Sequence, residues 1–262
     1  MSTRSSLHLV PAVWSTALLR GIASWWHMLR FGAMVLVIGL SPSTYNRANR
    51  ATSSKYIYVS TWQVLPWFTA MTTLLSLVLI RIVVVTALSY GLSQYALEMV
   101  VRVLVLELIP LSAAMFVALR AGLTFSAAST GSAHAVDMPS LSLTHMRNEL
   151  MPRVMASAFS VITLALVSSV IALVLAYLTV YGLSPWGLPG YTRTVGHVFD
   201  LAVTLGFGLK TIFFSMAVAV VPMAASLEAR PVTSADAVQP GAVRLFLVLL
   251  LIEAASLVVK YI

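Results

Sequence analysis

The chain contains no cysteine. That absence excludes a disulfide framework, a thiolate nucleophile and any cysteine-held zinc or iron–sulfur centre. Charge is nearly as scarce: Asp, Glu, Lys and Arg make up 9% of the 262 residues, against about 25% in ordinary soluble domains. A chain so poor in charge and 60% hydrophobic is not a water-soluble globule. Acidic residues are the rarer sign, 8 against 16 basic, giving a formal net charge of +8. On so apolar a chain that excess points to anionic lipid head groups and away from nucleic acid.

Recognisable catalytic patterns are also missing. Gly206, Gly208, Lys210 and Thr211 approach a phosphate loop, but Leu209 stands where glycine must precede the lysine, and the run is apolar. No HExxH, GxSxG or EF-hand pattern occurs. Ser132, His134 and Asp137 lie close in sequence, whereas hydrolytic triads are assembled from distant segments, so they read as a solvated loop. His134 and His145 lack a carboxylate at metal-ligand spacing.

What the sequence does supply is length of apolar run. A stretch of about 20 apolar residues crosses a hydrocarbon core of about 30 Å as a helix. Five stretches qualify: 57–80 with its continuation to Leu88, 99–119, 154–181, 201–225 and 245–259. Each must be helical, because lipid offers no water to an exposed backbone amide and the runs are too long for barrel strands. The predicted fold class is therefore an all-α integral membrane protein, with residues 1–56 as an N-terminal region and 57–262 as a five-span domain.

Between Leu7 and Leu40 the helix period sets Thr16, Arg20, Ser24, His27 and Arg30 along one flank, with Trp14, Ile22, Trp25 and Leu29 elsewhere. Tryptophan with arginine suits a helix lying in the head-group layer. A sixth span or a signal peptide starting at Arg4 competes with it, but two arginines near the middle are costly in hydrocarbon. Residues 41–55 read as a polar, basic connector. Residues 182–196, rich in glycine and proline, read as a compact turn with an aromatic belt of Tyr181, Trp186 and Tyr191.

With the N-terminus inside, eleven Lys and Arg fall on the inner side and two, Arg193 and Lys260, on the outer. The positive-inside rule then predicts a cytoplasmic N-terminus and an external C-terminus.

The charges within membrane depth carry the chemistry. A charge near the bilayer centre costs about 2.5 to 3.5 kcal/mol on insertion scales, so it is kept when paired, facing a cavity or close to an interface. Glu98 and Arg102 are four apart with the acid first, the favourable order for a pair on one helix face. Glu107 lies half a turn round from Glu98 and needs another partner, for which Lys210 of the fourth span is the candidate. Pro110 removes a backbone donor and is expected to bend the helix beside it. Glu253 and Lys260, one heptad apart, read as a second pair. Glu107 and Lys210 are open to two roles, helix–helix glue or a polar site on a substrate path.

The run Leu106-Glu107-Leu108-Ile109-Pro110-Leu111-Ser112-Ala113-Ala114, leading to Arg120-Ala121-Gly122, resembles the MlaE/YrbE family of ABC-transporter permeases. Tyr95 and Glu98 as Y-x-x-E, Pro152-Arg153, Lys210 in G-L-K-T-I-F-F, Glu228-Ala229-Arg230-Pro231 and Glu253 extend the likeness over about residues 57–260. The resemblance implies an MlaE-like permease fold in the bacterial inner membrane, paired with a second permease copy, like or unlike. It implies an outward cavity for a phospholipid beneath a ring of MCE-domain protein. It further implies a cytoplasmic ATPase that binds ATP and Mg, so that this chain holds no catalytic residue and no cofactor. Tyr95, Glu98, Arg102, Glu107 and Lys210 are the expected substrate path. The coupling segment falls at about 123–149, with Arg120, Asp137, Arg147 and Glu149 as expected contacts to the ATPase. Two other classes stand beside this reading: an intramembrane lipid-modifying enzyme using Glu107 or His197 as base, and a membrane scaffold.

Overall fold

The structure is a computed structural model that describes residues 25–26, 28, 30–35, 37, 47–131, 151–228 and 240–261. Among these residues there is no strand. Five helices are long and apolar enough to cross a membrane: Thr61–Ser89, Tyr95–Ala121, Met151–Tyr181, Leu201–Ala224 and Gly241–Lys260. They lie within α1 (Arg47–Ser89), the pair α2 (Ser93–Val100) and α3 (Ile109–Gly131), α4 (Met151–Tyr181), α6 (Leu201–Glu228) and α7 (Pro240–Tyr261). The short α5 (Leu188–Val198) follows a 3-10 turn, Pro185–Gly187.

The bundle is built for an apolar solvent. In α1 the buried positions include Thr61, Thr72 and Ser76, while Trp62, Trp67 and Leu74 are exposed. Water would drive those residues the other way, whereas lipid tails give no reason to hide leucine. The α1–α4 contact is held by hydroxyl pairs, Thr61 to Ser160 at 2.9 Å and Thr72 to Ser168 at 3.3 Å. Ser168, Ala172 and Ala176, all buried and spaced four apart on α4, let helices approach closely.

Glycine ends two spans in the left-handed conformation that a Cβ disfavours. At Gly91, φ is +71°, the Gly91 N–H donates to Leu88 O and the Leu92 N–H to Ala87 O, a Schellman closure of α1. At Gly182, φ is +66° and its N–H donates to Leu178 O, the simpler left-handed stop of α4. These turns and α5 lie at one end of the bundle, called the cap end below; Arg120, Arg153 and the start of α7 lie at the other, the base end.

Two local expectations are corrected. Residues 47–55 are helix, not connector: α1 begins at Arg47, well before its apolar span. The segment after Gly182 is not a plain turn either. Pro185 and Pro189 occupy first-turn positions, where a missing N–H costs nothing, and so start helical turns. α5 is anchored by the Tyr191 hydroxyl, which donates to Leu173 O at 2.8 Å, and by rings of Tyr177 and Tyr181 around it. Burial pushes the Tyr191 phenol up to about 12. Trp186 stands 91% exposed beside this cluster.

Pro110 disturbs its helix on the N-terminal side. Residues Val101–Leu108 are π-helical, closing with the Ile109 N–H on Leu104 O. A wider turn relieves the clash of a proline ring with the carbonyl four residues back, here that of Leu106. Residues 25–37, where described, pack Met28 into the core formed by Val64, Ala113, Leu164 and Phe214, and Val35 against Met151, Ala219 and Met223.

Candidate functional site

Four ionised side chains from three helical segments, two of them on α7, meet inside the bundle. Lys210 of α6 pairs with Glu107 of the π-helical stretch. Its ammonium also lies 2.7 Å from Glu253 Oε2 of α7, an ion pair without the alignment of a hydrogen bond. Glu107 in turn accepts a hydrogen bond from Lys260 at 2.9 Å. The charges alternate along the row Glu253, Lys210, Glu107, Lys260. Lys210 is the most enclosed, its side chain 3% exposed against 14 to 17% for the other three.

The geometry explains how so much charge is held at membrane depth. Each ammonium touches a carboxylate, so the group as a whole carries no net charge and leaves no bare ion. Lys210 Nζ also lies 3.5 Å from the carbonyl of Leu106, which Pro110 cannot serve, and 5.7 Å from the Phe214 ring centroid. The expected Glu107–Lys210 pair is thus present. The Glu253–Lys260 pair expected along α7 is not what forms: Glu253 meets Lys210, and Lys260 reaches Glu107. Helix spacing alone set those two a heptad apart and could not show that α6 and α2–α3 lie closer to each than they do to one another.

A second polar group lies at the cap end. Arg102 Nε donates to Glu98 Oε1 at 2.9 Å, the predicted pair, with both side chains about two-fifths exposed. Such a pair at partial exposure adds little stability. Glu98 and Tyr95 line a cleft of about 330 Å³ together with Arg193, Thr194 and His197 of α5. The five expected substrate-path residues are therefore in two places: Tyr95 and Glu98 line the cleft, with Arg102 paired to Glu98, while Glu107 and Lys210 are in the buried row. Arg193 and Thr194 are not among the site residues expected from the sequence, which offers His197 only as a base. Their spacing becomes informative once 188–198 is helical, because 193, 194 and 197 then share one face.

Of the expected coupling residues, Arg120 is described, and its Nη2 donates to Gln63 Oε1 at 3.2 Å at the base end. Asp137, Arg147 and Glu149, like the Ser132, His134 and Asp137 group, lie outside the described residues. The first part of the segment, to Gly131, continues α3 as helix. Gly206 to Thr211 are also helical, which leaves no loop there to wrap a phosphate.

An all-α bundle with apolar exterior and ion-paired interior defines a multi-pass integral membrane protein. The family model for Permease MlaE matches residues 53–259, and the chain belongs to that family, a membrane permease of the ABC-transporter class. A comparison with curated proteins finds no match.

Proposed function

We propose that the chain is the membrane-spanning permease subunit of an ABC transporter that moves phospholipids between the inner and outer bacterial membranes. The energy comes from ATP hydrolysed by a separate cytoplasmic subunit, and an MCE-domain protein receives or delivers lipid on the outer side. The observation that carries the reading is membership of the permease family over residues 53–259, in a chain that pairs Lys210 with Glu107 and Glu253 inside a helical bundle.

In this reading the base end faces the cytoplasm, consistent with Arg120, Arg153 and Arg244 there, and the cap end faces outward. The 123–149 segment, with Arg120, Asp137, Arg147 and Glu149, meets the ATPase. A second copy of the permease, like or unlike, completes the membrane part. The helix read within residues 7–40 lies along the inner head-group layer. Tyr95, Glu98 and Arg102 contact lipid at the cleft, while Glu107 and Lys210 tie the spans so that a push at the base reaches the cap end. The chain itself binds no nucleotide and catalyses no reaction. Affinity purification of the tagged chain from its native membrane tests this: an ATP-binding subunit is expected to copurify in stoichiometric amount, and its absence under conditions that keep the chain folded would refute the reading.

A further inference from the structure

Of the residues lining the cap-end cleft, Glu98 carries the negative charge and Arg193 the positive. Glu98 is already matched by Arg102, at 2.9 Å. Arg193 and His197 line the same cleft and take part in no described hydrogen bond or ion pair. The Arg193 guanidinium, with no described partner, therefore lines a space of about 330 Å³ that is also lined by Tyr95, Thr194 and His197. The Thr194 hydroxyl already donates to Gly190 O at 3.1 Å, which leaves a guanidinium, a phenol and an imidazole around one opening as donors for a compact anion with several acceptor oxygens, and a phosphate group is the fit.

The setting selects the kind of phosphate. The cleft lies where α2 enters its span and where α5 runs between α4 and α6, at the level of Gly182 and Leu201. Tyr95, Tyr181 and Leu201 are ends of candidate membrane spans, so in the five-span reading the cleft opens at the head-group boundary. Below Tyr95 on the same helix come Met99 and Val103, at successive intervals of four, and all three are about half exposed. A polar opening that runs into an exposed apolar track matches a head group with its acyl chains attached, which a soluble phosphate ester would leave uncovered.

We propose that this cleft is a phospholipid head-group site in which Arg193 binds the phosphate, His197 donates a hydrogen bond to it, and Met99 and Val103 carry an acyl chain. The Glu98–Arg102 pair fixes the far wall. The assignment rests on the reading that phospholipid is the cargo, but binding to the purified chain needs neither ATPase nor transport, so the two can fail separately.

The test is equilibrium binding of three probes to the full chain in detergent: a short-chain phosphatidylglycerol, glycerol 3-phosphate and a short-chain diacylglycerol. The phosphatidylglycerol is expected to bind most tightly. Arg193→Ala should weaken it roughly tenfold, the loss that goes with one charge-assisted hydrogen bond. Arg193→Lys should retain most of the binding, which guards against a folding defect, and Arg153→Ala at the base end should leave it unchanged. Unaltered binding in Arg193→Ala, or an equal loss in Arg153→Ala, overturns the site. Glycerol 3-phosphate binding as tightly as the lipid would assign the cleft to a soluble phosphate and overturn the lipid. Diacylglycerol binding as tightly would show that the phosphate is not recognised at all.

Discussion

The Lys210 ammonium lies 3.5 Å from the carbonyl of Leu106, the acceptor that Pro110 cannot serve. A helix defect and a buried cation thereby satisfy each other: the proline frees an oxygen, and the lysine brings a donor from α6. The same ammonium holds Glu107 and Glu253, so one side chain links α6 to two other helices.

Removing one charge of the row should therefore cost more than removing two. Lys210→Met leaves Glu107 and Glu253 facing each other in a low-dielectric interior, a loss of about 3 to 5 kcal/mol. Lys210→Met combined with Glu253→Gln removes a cation and an anion together and should recover part of it. Thermal unfolding of the purified variants in one detergent measures both, and equal midpoints for the single and double variants would contradict the coupling.

Gly187 should not tolerate a side chain. A Cβ there would fall 2.6 Å from the Tyr181 ring, which is boxed in by Tyr177 and Tyr191. Gly187→Ala is expected to cost about 1 to 3 kcal/mol through overpacking. At Gly190 the nearest atom to an added Cβ is the Tyr181 hydroxyl at 3.8 Å, so Gly190→Ala should be close to neutral. Unfolding midpoints compared for the two alanine variants decide it.

Tyr191 should titrate late. Its folded value of about 12 lies above the ordinary 10.0, so the protonated phenol is favoured in the folded chain. That contribution is fully present below pH 10 and is lost as pH rises toward 12. Difference absorbance near the tyrosinate band, wild type against Tyr191→Phe, should show the missing group ionising at the upper end of the titration. A missing group that ionises near pH 10 would contradict the burial.

The lack of cysteine makes orientation directly measurable. Ser184→Cys, at the cap end, should react with a membrane-impermeant maleimide added to intact spheroplasts. Ser54→Cys, on the base-end extension of α1, should react after the membrane is opened and not before. The reverse pattern would invert the proposed topology.

The spans were legible because their signal is long and repeated, so that Met151–Tyr181 departs from the expected 154–181 by one turn at most. The pairs Glu98–Arg102 and Glu107–Lys210 were legible for different reasons. The first is local, fixed by helix spacing; the second follows by elimination, since few acids exist to match a buried cation. What was hidden was non-local or masked by composition. Lys260 meeting Glu107 depends on how α7 leans on α2–α3, which no spacing within α7 encodes. Arg193, Thr194 and His197 were hidden by Gly and Pro residues that read as a turn but begin a helix.

The central claim, that this chain moves phospholipid with energy from another protein, is tested most directly by reconstitution. The complex purified from native membrane is placed in liposomes, and transfer of a labelled phospholipid to or from acceptor is followed with ATP, without ATP and with the permease chain alone. Transfer is expected only when the complete complex receives ATP. Transfer at the same rate by the chain alone, without nucleotide, would contradict the account.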